Sequence, residues 1–551
     1  MKKKILGIFV GMLLIATAVP AIGSQNNTLK NATTPSIAPP GLRAEWTQAQ
    51  KLLASDGTFG DCLGYSVSLD GDTALIGAFN DNADADLYGS VYIFTRSGTT
   101  WTQQAKLIPT AGGYYDYFGY AVSLDGDTAL IGAPGNSFNP IYPGAAYVFT
   151  RTGTTWTQQA RLDPSDGQDG DYFGNSVALD GDTAIIGSEY FSGTGSAYVF
   201  TRSGITWTQQ TKLIPPDGFN GELFGLSVSV EGNTALIGAL LDDDNGPGSG
   251  SAYVFSRSGT TWTQQAKLLA TDGASLDSFG ISVALFGDNA LIGAEWDNDN
   301  GEKSGSAYVF TRAGATWTQQ AKLLPSDGTT QDLFGHSVSL ANDTALIGAN
   351  EDDATGNYSG SAYLFTRSGT TWTQQEKLLP ADPTEQKLFG ESVSLDGDTA
   401  LIGAYGDGTN GPGSGSTYVF TKAPENQPPE TPTIQGQTNG KIKRSYTYTF
   451  VSTDPDGDDV FYCINWSDGT GETCIGPYDS GKEVKIAHIW TEKGTFIIKA
   501  KAQDGFGGES HWGTLSVTMP CSYTIPLIRF WEQLFVRFPE AFPILRHLMG
   551  Y

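Results

Sequence analysis

Short runs of apolar and polar residues recur along most of the chain. In one copy they read S-V-S-L, T-A-L-I, Y-V-F-T-R and W-T-Q-Q-A-K-L, and the last two alternate apolar and polar side chains as half-buried strands do. The first two runs flank Asp70-Gly71, a pair that favours a tight β-hairpin turn. No run has a helical period of useful length. The pattern therefore predicts four antiparallel strands in each unit.

The unit recurs seven times, at intervals of about 50 to 55 residues. Each copy carries one tryptophan in its W-T-Q run: Trp46, Trp101, Trp156, Trp207, Trp262, Trp317 and Trp372. We interpret these residues as packing residues of strands rather than as platforms for sugars. A radially repeated four-stranded antiparallel unit is the blade of a β-propeller. The sequence thus predicts an all-β chain with a seven-bladed β-propeller over residues 46–422.

The phase of the repeat predicts how the ring closes. The first unit begins at its Trp46 run, and the last unit ends at its Y-V-F run, Tyr418 to Phe420. The last unit therefore lacks a fourth strand, and residues 46–53 are the run left over. We expect this N-terminal run to complete the seventh blade and to remove the open sheet edge.

The rest of the chain divides by composition. Residues 1–24 have the basic start, apolar run and small residues of a secretory signal peptide, and residues 25–45 form a flexible polar lead-in. Residues 423–432 hold four prolines and are interpreted as a linker. Residues 433–519 contain five strand-like runs, which suits a small β-sandwich. Residues 520–551 are predicted to form a short tail of two amphipathic helices.

Two dipeptides in each unit resemble the FG-GAP repeat, the blade of integrin α-subunits and of many microbial surface proteins. The F-G pairs run from Phe118-Gly119 to Phe389-Gly390, and the G-A pairs run from Gly77-Ala78 to Gly403-Ala404. The resemblance implies a surface protein that recognises other molecules. The integrin-type calcium loop is not carried over, because the space between the two dipeptides holds only a tight D-G-D turn, too short for about six oxygen ligands.

The second domain is similar to PKD and related immunoglobulin-like modules. Trp466-Ser467-Asp468-Gly469-Thr470 resembles the W-G-D-G-T element, with Ser467 as a departure, and the run from His488 to Phe496 resembles the strand pair that follows it. Such modules are extracellular spacers or adhesive domains. The tail is similar to the ends of other exported microbial propeller proteins and is a candidate for surface attachment.

Calcium is the metal that the acidic loops suggest. One column of the repeat, after G-A, holds Asp81, Asn136, Phe191, Asp242, Asp297, Asp352 and Asp407. In two copies further acids and a glycine follow it, so clustered oxygen donors could hold calcium there, although Asp, Asn and Gly also simply form turns. The candidate ligands are Asp242, Asp244, Asp297 and Asp299 in the propeller, and Asp454, Asp456 and Asp458 in the second domain.

The cysteines suggest one disulfide. Cys463 and Cys474 flank a predicted hairpin turn and could face each other across two strands, as is reasonable in an exported protein. Cys62 stands where other copies carry Tyr, Leu or Ser, and no C-x-x-C pair suggests a zinc site.

Charge and motifs narrow the function. The formal net charge of -27 argues against nucleic acid as a partner. None of the sequence motifs of common hydrolases or nucleotide-binding sites occurs, and the blades are nearly identical, so no catalytic or cofactor-binding residue is assigned. We expect a secreted or cell-surface, monomeric and non-enzymatic protein that recognises an extracellular protein or glycan. The alternative is a secreted propeller enzyme or carbohydrate-binding protein, such as a glycan hydrolase or lyase.

Overall fold

A computed structural model describes residues 46–81, 89–110, 116–135, 143–189, 193–219, 221–424 and 426–519, together with 533, 536 and 537. One compact unit spans Ala44–Pro424, and a second begins at Glu425. The predicted signal peptide and lead-in lie outside the described residues. So do the predicted tail helices, apart from those last three single positions.

Seven four-stranded antiparallel sheets make up the first unit. Six of them are continuous in sequence and are named blades 1 to 6. Their strands are β2 (Ser66–Asp70), β3 (Thr73–Ala78), β4 (Ser90–Ser97) and β5 (Thr100–Leu107); β6 (Ala121–Asp125), β7 (Thr128–Ala133), β8 (Ala145–Thr152) and β9 (Thr155–Leu162); β10 (Val177–Asp180), β11 (Thr183–Ser188), β12 (Ser196–Ser203) and β13 (Thr206–Leu213); β14 (Phe224–Glu231), β15 (Thr234–Ala239), β16 (Ser251–Ser258) and β17 (Thr261–Leu268); β18 (Phe279–Phe286), β19 (Asn289–Ala294), β20 (Ser306–Ala313) and β21 (Thr316–Leu323); β22 (Ser337–Ala341), β23 (Thr344–Ala349), β24 (Ser361–Ser368) and β25 (Thr371–Leu378).

Blade 7 joins the two ends of the propeller. Its sheet has the order β1-β28-β27-β26, in which β26 (Val393–Asp396), β27 (Thr399–Ala404) and β28 (Ser416–Lys422) precede the linker and β1 is Trp46–Leu52. Strand β1 pairs antiparallel with β28, from Trp46 opposite Lys422 to Leu52 opposite Thr417. The first strand of each blade packs beside that of the next, and β26 packs against β2. The predicted closure by the N-terminal run is confirmed.

The glycines of the F-G and G-A pairs meet between blades. A Cβ on Gly77 would collide with the carbonyl oxygen of Gly119 in the next blade, and a Cβ on Gly403 would collide with that of Gly64. Across the same contact, Ser66 Oγ donates to Gly119 O at 2.8 Å. These positions need glycine because neighbouring backbones touch there.

Backbone conformation explains the residues of the hairpin turn, and packing explains the tryptophan. Gly71 and Asn342 occupy the same slot of the repeat with φ of 54° and 52°, so left-handed backbone selects the residue. Trp156 is buried, and its Nε1 donates to Gln104 Oε1 of the preceding blade at 3.0 Å. The guanidinium of Arg151 lies over the same indole, with 5.2 Å to the ring centroid. The interpretation of the tryptophans as packing residues agrees with this geometry.

The second unit contains two facing sheets. Their orders are β29-β30-β33 and β32-β31-β34-β35, with β29 (Thr433–Gly436), β30 (Ser445–Val451), β31 (Val460–Asn465), β32 (Glu472–Tyr478), β33 (Val484–Ile489), β34 (Gly494–Gln503) and β35 (Gly513–Met519). The core between them includes the fully buried Trp490 and Tyr448. Cys463 and Cys474 are opposite each other on β31 and β32 and form a disulfide, whereas Cys62 is free.

Within the described part of the chain, no helix is long and apolar enough to cross a membrane.

Candidate functional site

One face of the propeller carries the long loops. In each blade the loop between the second and third strands and the loop that enters the first strand emerge on this face, because the strands alternate in direction. The two short hairpins of the blade lie on the opposite face. We call the side with the long loops the loop face. All of the predicted calcium ligands of the propeller belong to it.

A lysine ammonium stands among the predicted calcium ligands of blade 4. Lys267 Nζ lies 2.7 Å from both Asp242 and Asp244, and Tyr253 Oη donates to Asp242 Oδ2 at 3.0 Å. Burial alone would lower the pKa of Lys267, but its hydrogen bonds to Asp242 and Asp244 raise it instead. The carboxylates are thus already bonded to a cation that the chain supplies.

Blade 5 repeats the arrangement around Lys322. Its Nζ lies 2.8 Å from Asp297 and 2.7 Å from Asp299. This lysine belongs to the W-T-Q-Q-A-K-L run, so sequence reasoning assigned it to a strand and missed its role. Calcium at Asp242, Asp244, Asp297 and Asp299 stays a prediction, and it now requires that calcium displace the lysines.

A further carboxylate lies beside each of these clusters. In blade 5 it is Asp277, which is buried and accepts the backbone N–H of Ala274 at 2.6 Å. Burial, together with the charge of Asp297, raises the pKa of Asp277 to about 6. The seventh copy differs, because Lys387 replaces the acid and contacts Asp407 at 3.0 Å. The clusters therefore carry excess negative charge in blades 4 and 5, whereas blade 7 has a second lysine.

The copies differ most at two columns of the repeat close to the propeller axis. The residues after F-G, or after Leu63-Gly64 in the first copy, are Tyr65, Tyr120, Asn175, Leu226, Ile281, His336 and Glu391, and those after the second dipeptide are Phe79, Pro134, Glu189, Leu240, Glu295, Asn350 and Tyr405. Every one of them is buried or half-buried. Our sequence argument that nearly identical blades lack asymmetry does not apply here, because these columns vary from blade to blade.

Aromatic rings occupy one side of the axis. The centroid of Tyr65 lies 4.5 Å from that of Phe79, 4.9 Å from Tyr120 and 5.6 Å from Tyr405. Phe79 also contacts Tyr117 edge-on at 5.5 Å. Tilted and edge-to-face pairs of this kind are the favoured geometry of packed aromatics. The rings form a continuous arc across blades 1, 2 and 7, which we call the aromatic arc.

A histidine and two glutamates occupy the other side. His336 Nδ1 lies 2.7 Å from Glu295 Oε2, and Nε2 lies 3.5 Å from Glu391 Oε2. Asn350 Nδ2 also donates to Glu391 at 2.9 Å. Burial alone would lower the pKa of His336, but the charges of Glu391 and Glu295 raise it well above its usual range. His336 stands at a variable position of the repeat, and only the ring geometry brings it to these carboxylates of the two neighbouring blades.

We expect the stability of the propeller to depend on the charge of His336. Because its pKa is higher in the folded state, the imidazolium stabilises the fold fully below about pH 6.5, and this contribution disappears as pH rises through the raised pKa. The Glu391→Gln substitution should lower the pKa of His336, as measured by NMR titration of its ring proton. The Glu302→Gln substitution, which removes an exposed charge of the same face, should not. Equal pKa values in wild type and Glu391→Gln would contradict the assignment.

A cavity of 880 Å³ opens on the loop face between blades 6 and 7. Its walls come from the loop after β23, the loop between β25 and β26, and the loop after β27. Glu351, Tyr358, Glu385 and Leu388 are among its lining residues. Its volume lies in the usual range for ligand pockets, about 300–1,000 Å³.

The predicted calcium ligands of the second domain do come together. Carboxylate oxygens of Asp454, Asp456 and Asp458 all lie within 4.8 Å of one another. Asp454 is buried; its Oδ1 accepts the backbone N–H of Asp456 and Asp458, and its Oδ2 has no hydrogen-bond partner among the described residues.

The start of the second unit contacts this group through a backbone hydrogen bond. Gln427 N donates to Asp456 Oδ2 at 2.6 Å, and Asn426 Nδ2 donates to Asp504 Oδ2 at 2.8 Å. The amide oxygen of Asn426 is buried without a hydrogen-bond partner in the described part of the chain. The three clustered carboxylates of Asp454, Asp456 and Asp458 are hard oxygen donors, which is the chemistry that calcium prefers.

The folds of the two units match known proteins separately. The FG-GAP repeat family matches residues 46–94, 101–149, 156–200, 207–255, 262–310, 317–365 and 372–420. No curated protein matches the chain. The PKD domain of an M14-like peptidase from a Thermoplasmatales archaeon is 55% identical over 17% of this chain and 98% of that chain, with a TM-score of 0.17.

Other solved structures are more distant. The PKD domain of the human receptor SorCS2 is 16% identical over 19% of this chain and 83% of that chain, with a TM-score of 0.14. A mutant of Trypanosoma rangeli sialidase with trans-sialidase activity is 10% identical over 89% of this chain and 94% of that chain, with a TM-score of 0.30. At such values the likeness carries no argument about activity.

The fold and the loop face define a seven-bladed β-propeller with an asymmetric axis, followed by an immunoglobulin-like module. The seven matched segments cover more than half of the chain, so this protein belongs to the FG-GAP repeat family. The resemblance to the FG-GAP repeat that the sequence indicated is thereby confirmed. The family fold supports a role in protein binding or at a surface.

Proposed function

We propose that this chain is an exported recognition protein that binds an extracellular protein or glycan with the loop face of its propeller. The signal-like residues 1–24 and the extracellular character that is typical of FG-GAP repeats support export. The binding function needs no catalytic residue. The immunoglobulin-like module acts as a spacer, and the tail 520–551 is the candidate for attachment to a surface.

The exposed apolar side chains carry this proposal. Among the described propeller residues, the large hydrophobic side chains that are exposed are Phe59, Ile108, Ile205, Ile214, Phe219, Leu276 and Tyr358. All except Ile205 lie in loops of the loop face. Apolar residues gathered on one side of a molecule mark an interaction surface. The aromatic arc and the buried amide oxygens of Asn175 and Asn350, which lack hydrogen-bond partners among the described residues, add acceptors and stacking surface on that side.

A binding assay with matched variants tests the proposal. The full chain is applied to an array of glycans and to immobilised extracellular-matrix proteins. Binding should weaken at least fivefold in Phe59→Ser and Phe219→Ser, because each side chain is more than 70% exposed and is available to a partner. Ile205→Ser removes an equally exposed residue from the opposite face and should leave binding unchanged. If all three variants bind alike, the loop face is not the recognition surface.

A glycan-active enzyme is the second candidate, and the carboxylates near the propeller axis favour it. Glu391 interacts electrostatically with Tyr65 and Tyr120 as well as with His336, and burial raises the pKa of Glu189 to about 7. A carboxylic acid with a raised pKa and a second carboxylate are the pair that glycoside hydrolysis uses. Release of reducing sugar that is lost in both Glu189→Gln and Glu391→Gln would favour the enzyme over the binding protein.

We also propose that calcium binds the second domain at Asp454, Asp456 and Asp458. A ligand that binds only the folded state raises stability by about 2.7 kcal/mol when its concentration is 100 times the dissociation constant. The thermal unfolding of this domain should therefore shift upwards with calcium and downwards with a chelator. Asp454→Asn should abolish the shift, and Asp479→Asn, an exposed residue of the same domain, should retain it. An unchanged melting curve in wild type would rule out this site.

A further inference from the structure

The cavity between blades 6 and 7 contains a charge that the protein leaves unbalanced. Glu351 and Glu385 line the cavity, and neither makes an ion pair with any other described residue. Two lysines compensate the two aspartates of the wall. Lys387 Nζ lies 3.1 Å from Asp382 and 3.0 Å from Asp407, and Lys51 Nζ lies 2.7 Å and 2.8 Å from the same two residues. The excess charge of the cavity is therefore negative, which favours a cationic ligand.

In blade 5, the loop positions that correspond to those of Glu351 and Tyr358 hold an aromatic ring and a lysine. There Lys303 Nζ lies 4.2 Å from the ring centroid of Trp296, a cation–π contact. The repeat places Trp296 and Lys303 at the same positions of their loop as Glu351 and Tyr358 in blade 6. These two positions are thus close enough for a side-chain cation to meet an aromatic ring.

In blade 6 the same two positions carry a carboxylate and an aromatic ring, and no cation. Tyr358 is 41% exposed, so its ring is accessible from solvent. Burial and the charge of Glu295 raise the pKa of Glu351, and the charges of His336 and Lys303 offset only part of this rise. Leu388 and Pro412, which also line the cavity, provide apolar surface beside the charged group.

We propose that this cavity binds a lysine or arginine side chain of an extracellular protein, with the cationic group between the Tyr358 ring and the Glu351 carboxylate. The methylene stem of that side chain packs on Leu388 and Pro412, as long basic side chains commonly do on apolar surface. The inference rests on the proposed recognition function and specifies its chemistry. The ligand then supplies the positive charge that Lys303 supplies in blade 5.

The test uses the full chain and tetralysine at 150 mM salt, with affinity measured by calorimetry. Glu351→Gln should weaken binding about tenfold, since a charge-assisted hydrogen bond is lost, and Tyr358→Leu about threefold, since a cation–π contact is lost. Glu302→Gln removes one charge from the loop face of blade 5 and should change affinity less than about twofold. Tetralysine acetylated on every side chain should not bind, because acetylation removes the positive charge.

Three results would overturn the proposal. They are equal losses in Glu351→Gln and Glu302→Gln, binding of the acetylated peptide as tight as that of tetralysine, or binding of a glucosamine oligomer but not of tetralysine. Melting curves of each variant show whether it is folded, so a loss of affinity in a folded protein is informative. If an array ligand binds and depends on Phe59 while tetralysine does not bind, recognition by the loop face stands and only this cavity assignment fails.

Discussion

Deletion of residues 46–53 should lower the melting temperature of the propeller by at least about 10 °C, since it removes a whole strand with two buried side chains. Trp46 and Leu52 are 4% and 1% exposed, and β1 pairs with β28 along its length. Without β1, the edge of β28 is open and available to other chains, so the variant should also aggregate. Thermal unfolding followed by circular dichroism and light scattering measures both effects.

Two further experiments test whether the loss of stability is specific to β1. Deletion of residues 25–45 shortens the same end of the chain but keeps β1, and it should leave the melting temperature unchanged. A synthetic peptide of residues 46–53 added in excess should restore part of the lost stability, because it binds only the folded ring. Thermal unfolding of the 46–53 deletion at the wild-type temperature would show that the ring does not depend on β1.

The Lys322→Met substitution should destabilise the propeller by about 3 kcal/mol at pH 7.5, because breaking a buried ion pair leaves its carboxylates uncompensated. Asp297 and Tyr308 remain in contact at 2.9 Å, but Asp272, Asp297 and Asp299 lose their shared cation. The figure is at the lower end for a buried pair, since the lysine side chain is 16% exposed. Chemical denaturation of wild type and variant gives the difference directly.

Acidic pH should reduce this loss. The folded-state pKa of Asp277 is raised to about 6, so the native protein binds a proton that the unfolded chain has released between about pH 4 and pH 6, and stability falls as pH rises through that window. Loss of Lys322 raises the pKa of Asp277 further, so at pH 5 this acid is more nearly neutral. Lys482→Met breaks an exposed pair with Asp479 and should have a much smaller effect on stability at either pH, because solvent screens exposed ion pairs. An effect of Lys322→Met no larger than that would contradict the cluster's role.

The architecture of the propeller could be predicted from the sequence because its determinants are local and repeated. The hairpin slot of Gly71 and Asn342 depends on backbone conformation within one turn. The closure by β1 followed from counting strands from one tryptophan to the next. The pairing of Cys463 with Cys474 follows from a hairpin in which the two residues are directly opposite.

The site could not be predicted in the same way, because it depends on contacts between residues far apart in sequence. Lys322 and Asp272 are 50 residues apart in sequence, and only the fold brings their side chains to 2.8 Å. His336 meets Glu295 of the preceding blade and Glu391 of the next one. The one available signal of the site in the sequence was the variation of the two columns of residues that follow the F-G and G-A dipeptides. It is visible in the sequence, but its position at the axis is not.

The pairing of the first strand with the last one has a consequence for the order of folding. During synthesis each of blades 1 to 6 has all four of its strands within one continuous segment, so it can form as soon as that segment is available. Blade 7 cannot form until β28 has been made, because its outer strand comes from the other end of the propeller. Strand β1 must therefore remain unpaired while six blades assemble, and the ring closes only after β28 has been made.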